Sequence, residues 1–322
     1  MKNAISTVVV ISLILLLSGS GIACDFCLLS QGISPLDTMK GTGIKISERY
    51  TVLDQVYQGT SEKANPGAKE THWTTELTGF YGITPEFMVM AVVPYKSGKT
   101  SGEADLTMTP PMLDTAMAGD ASGLGDVALL GRYTFLKQEN PDTTNVLAGL
   151  VGIKFSTGKT NARASDGMSY LDSHLQPGTG STDYLLGLSY SHSLQRLSFS
   201  ANLLGTITTE GKFGTTKHEF GNALNYDASG KYRIAPESFS PMKPQLFAAL
   251  GINGEVRQRE KEDGVAVPDS GGNTVYFSPG LQLVFAPHWI VEASYQHAIY
   301  HKLNGTQLGE TYKAITGVTY LF

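Results

Sequence analysis

The chain has 322 residues, of which 41% are hydrophobic and 16% charged, with a formal net charge of −5. Soluble proteins of this size carry about 25% charged residues, so the sequence is short of charge, and the absence of basic runs excludes a nucleic-acid binder. Thirty-six glycines with 15 Tyr, 13 Phe and 2 Trp fit many strands and tight turns better than a helical bundle.

Met-Lys-Asn is followed by an almost unbroken apolar run from Val8 to Leu17 and by small residues to Ala23, the layout of a secretory signal over residues 1–23. No later apolar stretch approaches the roughly 18 residues of a spanning helix; the longest is Val146 to Ile153. Residues 24–41 form an irregular segment, either a periplasmic leader or a hatch folded into a lumen. Within it, Cys24 and Cys27 leave three readings open: a disulfide, lipidation of Cys24, or a metal or redox role.

From residue 42 to 322 the pattern changes. Period-2 runs bounded by turn residues predict strands at Thr42–Val56, Thr71–Tyr81, Phe87–Tyr95, Gly125–Leu136, Asn145–Ser156 and Ser181–His192. They continue at Arg196–Thr208, Phe220–Ile234, Pro244–Val256, Asn273–Phe285, Trp289–Lys302 and Glu310–Phe322. The connections alternate in length: Tyr57–Glu70, Lys96–Leu124, Thr157–Gly180 and Arg257–Gly272 are long, whereas Gly82–Glu86, Ser193–Gln195 and Ala286–His288 are short. Long loops at one end and short turns at the other predict an all-β fold: a transmembrane, antiparallel, up-and-down β-barrel of about 12 strands, with its long loops outside the cell and its turns in the periplasm. The location expected is the outer membrane of a Gram-negative bacterium, reached by export. The partners expected are outer-membrane lipid, a small organic solute and the barrel-assembly machinery, with Phe322 as insertion signal.

Parity assigns the faces. Apolar positions such as Ile44, Ile46, Tyr50, Val52 and Val56 are expected to face lipid, and aromatics near strand ends to form two girdles. One girdle holds Tyr81, Phe135, Trp289 and Phe322; the other holds Trp73, Tyr95, Phe155, Tyr184, Phe220 and Tyr312. Glu48 falls on the lipid face, which calls for a bulge or a later strand start. The lumen face presents Lys45, Arg49, Glu76, Arg132, Lys154, Asp183, Asp227, Lys231, Arg233, Glu255, Glu292, Gln296 and Lys313, with Met88, Met90, Leu130, Leu150, Leu185, Leu204 and Phe247 interleaved. Mixed signs argue against a pore selective through one sign of charge. The set reads either as a permeation path or as a braced, filled interior.

Several stretches resemble outer-membrane transporters of the MetA-pathway phenol-degradation family, which are FadL-like or porin-like barrels. They are Phe80-Tyr81-Gly82-Ile83-Thr84-Pro85, Ser122-Gly123-Leu124-Gly125-Asp126-Val127, Gly152-Ile153-Lys154-Phe155-Ser156-Thr157-Gly158-Lys159, Leu175-Gln176-Pro177-Gly178-Thr179-Gly180 and Phe277-Ser278-Pro279-Gly280-Leu281-Gln282. The resemblance implies a channel for passive movement of small hydrophobic or aromatic compounds; a general small-solute porin and a plugged structural barrel are the alternatives. Where such chains often read Leu-Pro-Thr-Gly-Lys, this one has Phe155-Ser156-Thr157-Gly158-Lys159. No cofactor or metal motif is present, and the scattered histidines, with Asp166 and His174 sharing one loop, give no recognisable catalytic spacing. The sequence is therefore read as no enzyme. The apolar loop Lys96–Leu124, with Met108, Met112 and Met117, is expected either to constrict the mouth or to meet a partner.

Overall fold

The computed structural model describes residues 41–322 apart from 117, 168, 239–242 and 286–287. The signal reading for residues 1–23 and the readings of Cys24 and Cys27 lie outside the described residues, as does nearly all of the segment to residue 41.

Among the described residues, eleven strand elements close into one ring. They are β1 (Gly43–Gly59), β2 (Glu70–Gly82), β3 (Phe87–Thr100), β4 (Ala128–Glu139), β5 (Thr143–Lys154), β6 (Asp183–Leu194), β7 (Leu197–Ile207), β8 (Ala223–Ala235), β9 (Gln245–Arg257), β10 (Gly272–Phe285) and β11 (Trp289–Leu321). Each pairs with the next, β11 pairs with β1, and all these pairings are antiparallel. An odd number of staves cannot alternate direction all the way round, so one element must count twice. That element is β11, at 33 residues. Its residues up to Leu303 pair with β10 and those from Leu303 onward with β1. Gly305 takes the left-handed φ of +57° at the reversal, which favours glycine over residues with a Cβ, and Leu321 N donates to His288 O at 2.8 Å where the two ends meet again. Eleven hydrogen-bonded elements thus make twelve crossings of the wall. Closure leaves no strand edge bare in hydrocarbon.

The alternation of side chains follows the pleat. In β1, Ile44 and Ile46 point outward while Lys45, Ser47 and Arg49 are buried inside. Register shifts between Val52 and Gln55 then turn both Val52 and Leu53 inward, with Val56 beside them, so the expected lipid exposure of Val52 and Val56 is not found. Glu48 lies below that bulge, in a strand that does begin at its expected place. It stays on the outer wall because its carboxylate accepts from Trp73 Nε1 at 2.5 Å and from Thr75 Oγ1 at 2.9 Å. Trp73 packs on Tyr50, with ring centroids 5.6 Å apart, and Tyr50 on Tyr312 at 6.4 Å. The charge therefore sits at an aromatic belt, where polar tips and rings coexist. At the other end Tyr81, Phe135, Trp289 and Phe322 are exposed.

Past the strands at the long-loop end stand a small sheet of Glu210–Phe213, Thr216–Glu219, Lys261–Glu262 and Val265–Ala266, and a hairpin of Glu103–Asp105 with Met112–Asp114. The descending partner of β3 is split. Gly119–Leu124 pairs with the upper part of β3 and β4 with the lower, with Gly125 to Val127 between them.

Candidate functional site: the lumen and its mouth

The interior has two unlike walls. On β2 to β7, Phe80, Met88, Met90, Val92, Leu130, Leu150, Leu185 and Leu204 join in one buried apolar cluster, with Ala128 and partly buried Leu321. On β8 to β11 and β1 the wall is polar. Lys231 Nζ donates to Gln282 Oε1 at 3.1 Å, Asn253 Nδ2 to Gln296 Oε1 at 3.1 Å, and Arg257 Nε to Glu255 Oε1 at 2.8 Å. Lys45 pairs with Glu292 across an intervening stave. Gly317 makes this possible: a Cβ there would lie 3.0 Å from Glu292 Oε1 and 3.1 Å from Lys45 Cε. Lys313 pairs with Glu310 at 2.8 Å, and Asn202 with Asp227 at 3.0 Å.

Of the residues singled out from parity, Lys45, Arg49, Met88, Met90, Lys154, Asp183, Asp227, Arg233, Glu255, Glu292, Gln296 and Lys313 are buried, and Glu76, Arg132, Lys231 and Phe247 are half-buried. Opposite charges meet in Lys45–Glu292, Lys154–Asp183, Arg257–Glu255 and Lys313–Glu310, as buried ions require.

Where the split between Gly119–Leu124 and β4 falls, Asp126 ties three segments together. Its Oδ1 accepts from Gly158 N at 2.9 Å, and its Oδ2 accepts from Thr179 N at 2.8 Å and Thr179 Oγ1 at 2.6 Å. Lys154 Nζ stands 3.3 Å from Asp126 and 2.5 Å from Asp183. The loop backbones meet so closely that a Cβ on Gly178 would lie 2.6 Å from Gly158 Cα. Gly178→Ala must push Thr179 away from Asp126, and a loss of about 1–3 kcal/mol is expected, read as a lower midpoint of heat-induced unfolding on a cold-loaded gel.

Above the ring, a cavity of about 730 Å³ opens at the long-loop end. Its floor is Thr51, Leu53 and Val56 of β1. Glu70 tops β2, Glu103 and Asp105 stand on the hairpin, and Asp172 begins a single 3₁₀ turn, Ser173–Leu175. Glu260, Glu262 and Asp269 come from the β9–β10 connection, and Glu310 from β11. These eight carboxylates face one lysine, Lys96, and three histidines in the lining. Within the loop 96–124, Leu106 and Thr107 border the cavity, whereas Met108 and Met112 are exposed, at 49% and 55%; Met117 lies outside the described residues.

Three connections are clasped over this cavity. His174 Nε2 lies 3.0 Å from Glu260 Oε1, and His218 Nε2 lies 3.1 Å from Glu260 Oε2. Phe220 packs edge-on against both imidazoles, at 4.6 Å from His218 and 5.7 Å from His174. Phe220 is thus buried at 4%, not in the outer girdle, because β8 starts only at Ala223 and parity cannot be carried beyond it. Burial opposes charge on His174, but Glu260 outweighs it and, with smaller help from Asp172 and Glu70, pushes the imidazole up to about 10. Burial likewise opposes the Glu260 carboxylate, yet the two histidines hold it well below the usual carboxylate range. Nothing in the spacing of Glu260 marks it; His174 stands out in sequence only beside Asp166, which instead caps Ser169. Among the described residues no three His, Cys, Asp or Glu side chains are grouped to hold a metal ion.

A closed antiparallel ring with an apolar outer surface, aromatic belts and a polar-lined interior defines an outer-membrane β-barrel. The family model described as "Putative MetA-pathway of phenol degradation" matches residues 53–311, and the chain belongs to that family. No curated protein sequence matches it. Among solved structures, the COG4313 outer membrane channel from Pseudomonas putida F1 is 17% identical, with 88% of this chain and 96% of that one covered, at a TM-score of 0.69. The TodX deltaS2S3 mutant monoaromatic hydrocarbon channel is 9% identical, with 95% and 96% covered, at 0.43.

Proposed function

We propose that the chain is a channel for passive movement of small organic compounds, hydrophobic and aromatic ones included, across the outer membrane. The observation that carries this reading is the one-sided interior, with Met88, Met90, Leu130, Leu150, Leu185 and Leu204 gathered in a buried apolar cluster on one wall and hydrogen-bonded polar groups on the other. An aromatic ring moving along such a wall exchanges water for apolar contact while the polar wall keeps its own partners. A sugar gains nothing there. In this reading the barrel is exported by the signal of residues 1–23, from a Gram-negative cytoplasm, and assembled by machinery that recognises Phe322. No chemistry is performed on the solute.

Replacing Leu130 and Leu185 by asparagine is expected to cut entry of labelled toluene into cells that carry the barrel severalfold, while raising ion current through it in planar bilayers. Currents of general-porin size through the unaltered protein, with toluene entry unchanged by the double substitution, would favour the small-solute porin instead.

A further inference from the structure

We infer that His174 and Glu260 form a crossbar over the mouth that sets how broad a solute can pass, a specificity role that rests on the channel reading and adds to it. The two residues are carried from opposite sides of the ring. Leu175, next to His174, packs on β3, where a Cβ on Gly98 would lie 3.0 Å from Leu175 Cδ2, whereas Glu260 stands in the connection that leaves β9. β3 and β9 are the third and ninth of the twelve crossings, so they face each other across the barrel. The contact of 3.0 Å between His174 Nε2 and Glu260 Oε1 thus joins them over the opening.

Each end of the bar is anchored by itself. On the β3 side, Leu175 is buried with Ala121, Ala164 and Leu171, and the Gln176 amide donates to Ala162 O and Leu171 O, both at 3.0 Å. On the β9 side, Glu260 N donates to Ser270 Oγ at 3.0 Å, Val267 N donates to Glu260 O at 2.9 Å, and His218 lies against the second carboxylate oxygen. Parting the pair therefore unfolds neither connection. Behind the bar, toward β6 and β7, the mouth is filled by chain: a Cβ on Gly211 would lie 2.6 Å from Thr179 O. In front of it, toward β1 and β2, lies the cavity of about 730 Å³, bordered by His174, Glu260 and Phe220. A solute entering this way passes beside the bar, and the reach of one imidazole to one carboxylate fixes the width left to it.

His174→Ala removes the bar while leaving Glu260 with His218. For the full chain in planar bilayers, ion conductance is expected to rise by about twofold, and cells carrying the variant should take up labelled phenanthrene severalfold faster, with toluene entry little changed. His174→Lys, whose ammonium can again donate to Glu260, should return both to the level of the unaltered protein, which a merely loosened structure would not do. Lys261→Gln breaks a pair with Glu219 inside the small sheet and should leave both unchanged. If alanine prevents folding, as read by heat-dependent gel mobility, His174→Ser is measured in its place, since that side chain is too short to reach Glu260. Conductance and phenanthrene entry equal to those of the unaltered protein would overturn the inference, as would an equal rise with Lys261→Gln. Failure of the channel reading would appear separately, as toluene entry through the unaltered barrel no greater than into cells lacking it.

Discussion

Alanine at Asp126 is expected to lower stability by about 3–5 kcal/mol, the range for breaking a buried charge pair. The substitution orphans the backbone N–H groups of Gly158 and Thr179 together, and takes one of the two carboxylates, Asp126 and Asp183, from beside Lys154. The measurement is the midpoint of heat-induced unfolding in detergent, followed by gel mobility. Because Lys154 shares the knot, Asp126→Ala combined with Lys154→Met should cost clearly less than the sum of the two single changes. Strict additivity would show that the ion pair contributes nothing and that the loops are held by other contacts.

Loss of the Glu260 carboxylate should have the next largest effect, and it carries a pH signature. His174 has its pKa raised to about 10, so its contribution is complete below the unfolded value of about 6.5 and fades as pH rises toward 10. Glu260 has its pKa lowered, so its contribution is present above the ordinary carboxylate value, about 4.3, and is lost as pH falls below it. The clasp is therefore firmest between about pH 4.5 and 6.5, and weakens on both sides. Glu260→Gln should reduce stability near pH 6 by about 1–3 kcal/mol and flatten the decline from pH 6.5 to 10. Unfolding midpoints of the two proteins at pH 5, 7, 9 and 10.5 check this. A parallel decline in both would assign the pH dependence to groups outside the pair of His174 and Glu260.

The strands were legible because a wall with lipid on one side and a polar lumen on the other writes its period into every stave. The predicted segments Trp289–Lys302 and Glu310–Phe322 are the two limbs of β11, parted at Asn304 and Gly305, and connection lengths correctly separated the two ends of the barrel. Faces were legible only where the pleat is unbroken. The bulge above Val52 could not be seen, since Val52 and Leu53 are apolar alike and nothing in their order says which one turns. Glu48 looked misplaced because its partner Trp73 belongs to another strand, and cross-strand neighbours follow from register, not from spacing. The family-like segment around Asp126 was visible as a motif. Its partners Gly158 and Thr179 lie in two further motifs, and only the fold shows that the three are one knot. Glu260 and His218 gave no signal at all, for their roles arise from connections that meet above the ring.

The ring is sealed between its first stave and its last, with Gly43 opposite Leu321 and Phe322 N donating to Thr42 O at 2.9 Å. A growing chain therefore carries β1 unzipped until residues 306–321 have left the ribosome, and every stave made in between keeps the sheet an open ribbon. Such a ribbon has two sticky margins and no stable place in either water or lipid. A stable place in hydrocarbon is therefore gained only when the last stave meets the first.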